Sequence, residues 1–539
     1  MNYFKMNYFK MNYFKMNYFK NFKYIILDIF YKTKYFTYFN IFLNVIFLNY
    51  VYYIFMGVTS DKLILLLNYS INLNGCIIIK LVQWLNNHIT LIKNDENKNS
   101  AITKLFSNYY ENCSVHNLKY SKNLFFEEFG YLFDDMFIID ETYPIKSGSV
   151  AQVYKAYFKN NAINTINTIN NDFNINDFNI NDPIAIKVVH PEIEYQMLFP
   201  IYFINIYKFF VTNFTFFKKY DTIINYDSFF FNLRNQINMT NEYKNNEYFY
   251  NKYINNDIIV IPRPLIQSKN FLIMEYIEGE FLEKTNISSY KKQILMSFLS
   301  IFIKDTYMFG KYIHCDLHDA NWKVLKVRDD ETSNSNATND DSFSYKIIIY
   351  DFGYIIENKL NEYIKNFIYY LDINNTYEVG KILFEHVENL KIEDVNSLEF
   401  LHYKEDFIGK FKDFTECCYP YTDSNILACY NFCHNYEYKL KNNLLDIFVS
   451  TMLLNKYFKK YLFSDSNNDK NITFNEKTYY SSVYNINLFY VSICEKYNIF
   501  HNVKDFLNAK YINNTFFIEK INYSNSYFNS LKEYDNFDI

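Results

Sequence analysis

Two short segments, separated by an acidic insertion, constrain the fold of this chain most. Residues 312–322 read YIHCDLHDANW, and residues 347–353 read IIIYDFG. Asp316 stands five residues before Asn321, so one tight loop can bring both side chains to a single site. Asp351 follows an apolar run that is typical of a buried strand. Phosphoryl transfer requires a carboxylate that orients the acceptor hydroxyl, and oxygen ligands that hold Mg²⁺. The ordered pair of segments therefore predicts the catalytic and metal-binding loops of a phosphotransferase.

Composition narrows the class of protein. The chain has 539 residues, enough for two lobes with a substantial core. Half of the residues are hydrophobic and Gly (9) and Pro (7) are scarce, which argues against fibrous and disordered classes. The net charge of −5 gives no reason to expect nucleic acid as a partner. The cluster Cys417, Cys418, Cys429 and Cys433 fits no common zinc spacing, so we interpret these residues as reduced core thiols.

The N-terminal segment, residues 1–34, is a low-complexity basic repeat. It contains Met-Asn-Tyr-Phe-Lys four times, and its first 27 residues carry five lysines and no acidic residue. A five-residue period matches neither a helix nor a strand. The excess of positive charge leaves an organelle-targeting role open, and the lack of arginine argues against it.

Residues 35–60 form a candidate membrane helix. This stretch has 26 consecutive uncharged residues, which is long enough to span a hydrocarbon layer of about 30 Å. Asn40, Asn44 and Asn49 argue against spanning, because amides are costly in lipid without partners. Their spacing places them near one helical face, which also suits a helix that lies on a membrane or on protein. Both alternatives stay open at this point.

A glycine-poor loop at residues 144–156 resembles the phosphate-binding loop of kinases. In the frame G-x-G-x-x-G-x-V the four positions are Lys146, Gly148, Ala151 and Val153, so that one glycine of three remains. Small side chains would still allow backbone N–H groups to approach phosphates. We therefore predict that Ser147, Gly148, Ser149 and Ala151 bind nucleotide phosphates and that Val153 covers the base.

The next two segments complete a nucleotide site. Lys187 lies in an apolar strand pattern and needs a partner for its charge, for which Glu242 is the better candidate and Glu247 the alternative. In kinase geometry such a lysine holds the α- and β-phosphates. After the strand at 271–275, the backbone from Glu275 to Ile277 is predicted to bind adenine, with Met274 at the back of the pocket.

The order of these signals is that of a bilobal, α+β protein-kinase-like fold. We predict N-terminal helices at 61–140, an N-lobe at 141–280 with an insertion at 160–181, and a helical C-lobe at 281–539 with an insertion at 329–344. The predicted catalytic residues are Asp316, Lys187 and Glu242, the predicted metal ligands are Asn321 and Asp351, and the cofactors are ATP and Mg²⁺.

Several residues resemble the UbiB family of atypical kinases, also called aarF-domain-containing (ADCK) kinases. Residues 151–153 (Ala-Gln-Val) are similar to its alanine-rich nucleotide loop, and residues 314–321 are similar to its catalytic loop. Lys80 and Gln83 resemble the Lys-x-Gly-Gln motif of a helix that this family folds over its active site. The resemblance implies that Gln152 belongs to the nucleotide site and that Lys80 and Gln83 occlude a protein substrate.

The chain departs from the family pattern at several positions. The motif glycine is Val82, the catalytic-loop Pro-Gly is Asp319-Ala320, and the alanine-rich loop reads Lys-Ser-Gly-Ser at 146–149. The family's Glu-x-Asp appears as Gln236-Ile-Asn238. Two amides there cannot act as anions, which puts their part in metal binding in doubt.

Three functions follow from these observations. The first is a membrane-associated ATP-binding kinase or ATPase, mitochondrial or in another organelle, that supports ubiquinone or isoprenoid-lipid metabolism, with isoprenoid lipid and ubiquinone-biosynthesis proteins as partners. The second is a small-molecule kinase of the aminoglycoside or choline kinase type, against which Lys80 and Gln83 argue. The third is a pseudokinase scaffold, which Gln236 and Val82 favour and the intact Asp351 opposes.

Overall fold

The computed structural model describes most of the chain up to residue 448. The described ranges are 2–83, 113–162, 178–214, 226–256, 258–287, 310–328, 343–359, 375–388, 397–418 and 425–441, with isolated helical positions within 292–306, 363–370 and 444–448. Residues 163–177 and 329–342 of the two predicted insertions, and residues 449–539 of the predicted C-lobe, lie outside the described residues.

Two N-terminal helices form an antiparallel pair. They are α1 (Asn2–Met56) and α2 (Asp61–Asn74). Phe42 and Val45 of α1 are buried in one cluster with Leu67 and Ile71 of α2. The removal of these apolar side chains from water holds the two helices together.

Gly75 directs the chain from α2 into the next helical stretch, residues 76–83. Its φ of +75° lies in the left-handed region, and a Cβ at this position would lie 2.6 Å from Gln196 Oε1. Both observations exclude a side chain here. Gly75 therefore fixes the direction of residues 76–83, which carry Lys80 and Gln83.

The remaining elements follow in a regular order. They are α3 (Leu118–Phe129), α4 (Phe133–Met136), β1 (Phe137–Ile139), β2 (Lys146–Ser147), β3 (Ala151–Phe158), β4 (Ile184–Val189), α5 (Ile193–Asn213), α6 (Tyr226–Gln236), α7 (Met239–Tyr253), β5 (Ile259–Val260), β6 (Pro264–Gln267), β7 (Phe271–Glu275), β8 (Tyr312–His314), β9 (Trp322–Arg328), β10 (Phe343–Ile349), β11 (Ile355–Glu357), α8 (Thr376–Glu385), α9 (Leu398–Cys418) and α10 (Asn425–Asn435).

An antiparallel sheet forms the N-lobe. Its strand order is β1-β3-β4-β7-β6, and β2 pairs with β3. Every residue of β4 is buried, whereas β3 alternates along most of its length, so β4 lies at the centre of the sheet. One face of β3 packs Tyr154 into a cluster with Phe125 and Phe271. The other face turns toward the C-lobe and carries the candidate site.

The first insertion connects two paired strands, since Ala156 of β3 lies opposite Ile184 of β4. The second connects β9 and β10, because Arg328 lies opposite Phe343. Each insertion therefore lies in the connection of a β-hairpin, where extra residues leave the hydrogen bonds of the strands intact.

The C-lobe is built on a large apolar core. Buried side chains of β10, such as Ile347 and Ile349, join Phe302, Phe352 and Leu383 in one cluster. Cys429 and Cys433 are buried free thiols in this cluster, as predicted, while the side chains of Cys417 and Cys418 lie outside those described. The molecule thus has two lobes. The N-lobe is the antiparallel sheet together with α7, and the C-lobe is mostly helical with short strands.

Candidate functional site

A cavity lies between the N-lobe sheet and the loops of the C-lobe. Its lining residues are Lys80, Gln83, Lys146, Gly148, Ser149, Val150, Ala151, Lys187, Gln236, Glu242, Asp316, His318, Asn321, Asp351 and Gly353. All of the predicted catalytic and metal-binding residues are among them. Six of the predicted nucleotide-binding residues are not: Ser147, Gln152, Val153, Met274, Glu275 and Ile277.

The turn between β2 and β3 forms the upper wall of the cavity. Gly148 N donates to Ala151 O at 2.9 Å and closes the turn. Ser147 lies opposite Gln152 in the strand register, so both side chains project from the same face of the sheet. Ser147 Oγ donates to Ser114 O, and Gln152 accepts from His116 N at 2.9 Å. These two side chains bind residues 114–116, while the turn itself lines the cavity.

Lys187 lies at the centre of the cavity and binds two carboxylates. Its Nζ is 2.6 Å from Glu242 Oε1 and 3.2 Å from Asp351 Oδ2. Glu242 occupies the first turn of α7, which begins where the Asn238 side chain accepts a hydrogen bond from Thr240 N at 3.1 Å. Asn238 thus caps α7. Gln236, the other residue that replaces an acidic residue of the family's Glu-x-Asp motif, lines the cavity.

Lys187, Glu242 and Asp351 together carry one ammonium group and two carboxyl groups, so the lysine cannot fully neutralise both carboxylates. Burial raises the pKa of Glu242 to about 7, although Lys187 opposes this shift. Burial also acts to raise the pKa of Asp351, but Lys187 and the N–H of Gly353 outweigh it and hold that pKa well below its usual range. Of the two carboxylates, Asp351 is therefore the one whose ionised form is favoured, and Glu242 is the one whose protonated form burial favours.

The catalytic loop is fixed to the Asp351 loop by His314. Its Nε2–H donates to Asp351 O at 2.7 Å, and its Nδ1 accepts from Asp316 N at 3.4 Å. His318 Nδ1 likewise accepts from Ala320 N. Burial lowers the pKa values of both histidines, to about 4 for His318. Both imidazoles are therefore neutral and serve as hydrogen-bonding residues of the loop.

The strand register brings Asn321 and Asp351 side by side. Trp322 pairs with Ile349, so Asn321 and Asp351 extend from the same edge of the β9-β10 pair, and Tyr350 N donates to Asn321 O at 3.0 Å. A carboxylate and an amide oxygen are hard ligands of the type that Mg²⁺ prefers, with nucleotide phosphates supplying the remainder. Asn321 is oriented by its Nδ2, which donates to Asp316 O at 2.9 Å. The residues present fit Mg²⁺.

The segment predicted to bind adenine follows β7. Met274 is buried, and its Sδ accepts from Asn246 Nδ2 at 3.7 Å. Glu275 N donates to Arg263 O, and Ile277 O accepts from Tyr350 OH at 2.9 Å. These groups therefore order the link between the lobes, and adenine binding there stays a prediction.

Lys80 reaches across the cavity from residues 76–83 to the catalytic loop. Its Nζ lies 2.7 Å from Asp316 Oδ2, and the Asp316 side chain is only 16% exposed. Burial acts to raise the pKa of Asp316, but Lys80 and His318 outweigh this and keep that pKa below its usual value. Val82, which replaces the motif glycine, is buried with Phe42 and Leu67. Asp316, the predicted catalytic carboxylate, is thus ion-paired with Lys80.

Two residues at the site carry roles that the sequence did not predict. Lys146 lines the cavity, and its position as the replacement for a loop glycine was a signal that could have identified it. His116 contacts both Gln152 and His190, and its ring Nδ1 lies 3.0 Å from His190 Nδ1. No sequence motif pointed to His116, because its partners lie 36 and 74 residues away along the chain.

A protein-family model and two related proteins match part of this chain. Residues 178–383 match the family model of the ABC1 atypical kinase-like domain. The ABC1 family protein MCP2 of Saccharomyces cerevisiae is 23% identical over 252 residues, which cover 45% of this chain and 40% of that protein. The probable serine/threonine-protein kinase abkB of Dictyostelium discoideum is 29% identical over 214 residues, covering 38% of this chain and 29% of that protein. The matched part is therefore less than half the length of either relative.

The similar solved structures share less sequence identity with this chain. The complex of Rv3197 with erythromycin from Mycobacterium tuberculosis shares 13% identity at a TM-score of 0.38, covering 61% of this chain and 74% of that one. The Rio2 kinase–ADP/Mg²⁺–phosphoaspartate complex from Chaetomium thermophilum shares 8% at a TM-score of 0.25, covering 71% and 96%. The family match and the two-lobed architecture confirm the predicted α+β atypical kinase fold and the resemblance to the UbiB family.

Proposed function

We propose that this protein, whose residues 178–383 match the ABC1 atypical kinase-like domain, is an ATP-binding, Mg²⁺-dependent atypical kinase or ATPase of the UbiB type. The observation that carries the proposal is the convergence of Lys187, Glu242, Asp316, Asn321 and Asp351 on one cavity. Together these side chains supply the phosphate-binding, metal-binding and acceptor-orienting groups that phosphoryl transfer needs, and all line the same cavity.

These side chains have three roles in the proposed reaction: phosphate binding, Mg²⁺ binding and orientation of the acceptor. Lys187, held by Glu242 at 2.6 Å, is oriented to bind the α- and β-phosphates. Bound Mg²⁺, held by Asn321 and Asp351, would neutralise charge on the β- and γ-phosphates. Asp316 orients the acceptor hydroxyl or water and can take its proton, once its carboxylate is released from Lys80.

The test of nucleotide binding is direct. With MgATP at 100 times its dissociation constant, the folded protein gains about 2.7 kcal/mol of stability, which scanning calorimetry records as a higher Tm. Turnover is measured as phosphate release and as transfer to protein and lipid acceptors. Absence of any MgATP stabilisation would contradict the proposal. Binding without turnover would leave the scaffold function, which Gln236 in the cavity favours.

The pairing of Lys80 with Asp316 leads to a prediction about Lys80→Met. Removing the ammonium frees the Asp316 carboxylate and opens the acceptor side of the cavity, so we expect MgATP-dependent transfer to protein to rise about tenfold, equal to ~1.4 kcal/mol in the barrier. The measurement is radiolabelled phosphate transfer to the protein itself. Lys62→Met, an exposed lysine of α2, is the matched control and should behave as wild type. A fall in transfer would instead assign Lys80 to phosphate binding.

We also propose that the protein associates with a membrane through α1. Within α1, Ile25–Met56 is long and apolar enough to cross a bilayer, and 17% of its most apolar window is buried. Asn40, Asn44 and Asn49 each donate a side-chain amide N–H to the carbonyl four residues earlier, which reduces the cost of these amides in an apolar environment.

The packing of α1 favours a helix that lies on the membrane. Tyr35, Phe39, Phe42 and Val45 are buried in the protein, and Phe39 stacks edge-on against Phe203 of α5. A helix with one face occupied by α2 and α5 presents its other face to lipid. The exposed apolar side chains near it include Ile41, Phe47, Leu48 and Phe55 of α1, Leu65 and Tyr69 of α2, and Ile206, Phe209 and Phe210 of α5. Such a surface suits interfacial binding.

Substituting two exposed phenylalanines tests this surface. Phe47 and Phe55 are 62% and 81% exposed, and burial of a phenylalanine contributes about 1.5–3 kcal/mol. We expect the double change Phe47→Ser and Phe55→Ser to weaken binding to phospholipid vesicles at least about tenfold. Leu398→Ser, an exposed apolar residue of α9, is the control. If α1 lies on the membrane surface, alkaline carbonate should release the protein from membranes. Resistance of the protein to this extraction would indicate a spanning helix.

A role in ubiquinone or other isoprenoid-lipid metabolism, in the mitochondrion, completes the proposal. It is supported by the UbiB resemblance, by the lysines of residues 1–34 and by the exposed apolar side chains of α1. Isoprenoid lipid and proteins of ubiquinone biosynthesis would then be its partners. A lipid profile after loss of the gene tests the role, and an unchanged ubiquinone and isoprenoid content would contradict it.

A further inference from the structure

Lys146 connects the nucleotide turn to the catalytic loop. It is the first residue of β2 and takes the position of the first glycine in the phosphate-binding loop of kinases. Its Nζ donates to the main-chain oxygen of Ala320 at 2.6 Å, next to the candidate metal ligand Asn321. A long charged side chain therefore enters the cavity where a kinase loop has none.

The strand register places Lys146 on the same face as Lys187. Lys146 lies opposite Val153, and Val153 lies opposite Lys187. Directly opposed residues of antiparallel strands project from the same side of the sheet. Since neighbouring strands are about 4.8 Å apart, the two lysine backbones are roughly 10 Å apart, with Val153 between them. The two ammonium groups thus approach the cavity from either side of the position predicted for the nucleotide.

Each of the three lysines that line the cavity has a described partner. Lys80 is ion-paired with Asp316, and Lys187 with Glu242 and Asp351. Lys146 donates to a carbonyl oxygen, which is neutral. A hydrogen bond from an ammonium to a charged phosphate oxygen is about twice as strong as one to a neutral acceptor. A phosphate oxygen is therefore a stronger acceptor for the Lys146 ammonium than the Ala320 carbonyl oxygen.

We propose that Lys146 is a phosphate-binding residue, which contacts the terminal phosphates of the nucleotide in exchange for the Ala320 carbonyl. It supplies from a side chain the contact that backbone N–H groups of a glycine-rich loop supply elsewhere. The inference rests on the proposed nucleotide-binding function. It distinguishes Lys146 from a residue that only connects the two lobes.

Comparing ATP with adenosine separates phosphate binding from a purely structural role. We expect Lys146→Met to weaken ATP binding by about tenfold or more and adenosine binding by less than about twofold, because only ATP carries the phosphates. Lys146→Arg should retain most of the affinity. Lys146→Gln keeps an N–H donor for the Ala320 carbonyl without the charge, and should lose ATP affinity like the methionine variant. Lys269→Met, an exposed N-lobe lysine, is the matched control.

The outcomes are distinct. Dissociation constants are measured in Mg²⁺ by competition against a fluorescent nucleotide, with the Tm of each variant as a check on folding. Equal weakening of ATP and adenosine, or an unchanged ATP affinity in the glutamine variant, would overturn the assignment of Lys146 alone. Failure of the wild-type protein to bind any of these nucleotides would instead overturn the proposed function.

Discussion

Replacing Asp351 with asparagine is expected to lower MgATP hydrolysis by about 10²–10³-fold and to leave the fold intact. The Asp351 side chain is 37% exposed at the cavity, and its depressed pKa keeps it ionised at neutral pH. Asparagine has no charge and one oxygen, so it binds Mg²⁺ weakly and no longer balances Lys187. The measurement is Mg²⁺-dependent phosphate release.

The fold should tolerate this change because the local contacts survive it. Gly353 N donates to Asp351 Oδ1 at 2.9 Å, and an asparagine oxygen can accept the same bond. His314 binds the main-chain oxygen of Asp351, which the substitution leaves in place. The Tm should therefore stay within a few degrees of wild type, and Asp135→Asn, on the surface helix α4, should alter neither quantity. Wild-type turnover in Asp351→Asn would rule out the assigned metal site.

Replacing Lys187 with methionine is expected to destabilise the protein by about 3–5 kcal/mol at pH 8, because it leaves the Glu242 carboxylate buried without its partner. Glu242 is 1% exposed, and Lys187 Nζ binds both of its oxygens, at 2.6 and 2.8 Å. The same change removes the ammonium predicted to hold the α- and β-phosphates. ATP affinity should fall at least about a hundredfold.

The destabilisation should depend on pH in a defined direction. Burial already raises the pKa of Glu242 to about 7 with Lys187 present, and loss of the lysine removes the interaction that opposes this shift. A carboxyl whose folded pKa lies above its unfolded value contributes stability below the unfolded pKa, near 4.5, and loses it as the pH rises through the folded pKa. Lys187→Met should therefore be closer to wild type in urea unfolding at pH 5 than at pH 8.

A double substitution separates stability from binding. Lys187→Met with Glu242→Gln replaces the ion pair by two neutral side chains, so much of the stability lost at pH 8 should return. Nucleotide affinity should not return, since the phosphates still lack their ammonium partner. Recovery of ATP binding in the double variant would show that Lys187 acts on the nucleotide only through the fold.

Much of the fold was predictable because its signals are local. The apolar run before Asp351 and the alternation around Lys187 each indicate a strand, and both segments are strands, β10 and β4. The predicted order of elements then implied two lobes, and the α+β kinase-like architecture is confirmed. The assignment of function to each site residue stays a prediction that the experiments above address.

The face on which a side chain lies was harder to predict. Ser147 and Gln152 belong to the same short loop as Gly148 and Ala151, and the sequence placed all four at the nucleotide. Because side chains alternate along a strand, the register of β2 and β3 turns Ser147 and Gln152 toward residues 114–116 and Lys146 toward the cavity. Register depends on pairing between strands, which a single strand does not encode.

The sequence by itself determined the chemical groups at the site and their order along the chain: an ammonium, a helical carboxylate, and an Asp…Asn pair followed by a second aspartate. Only the tertiary structure decided which of these groups neutralise one another. Lys80 meets Asp316 across 236 positions of chain and Lys187 meets Asp351 across 164. Such pairs form when burial makes an isolated charge costly, and burial is a property of the packed molecule rather than of any one segment.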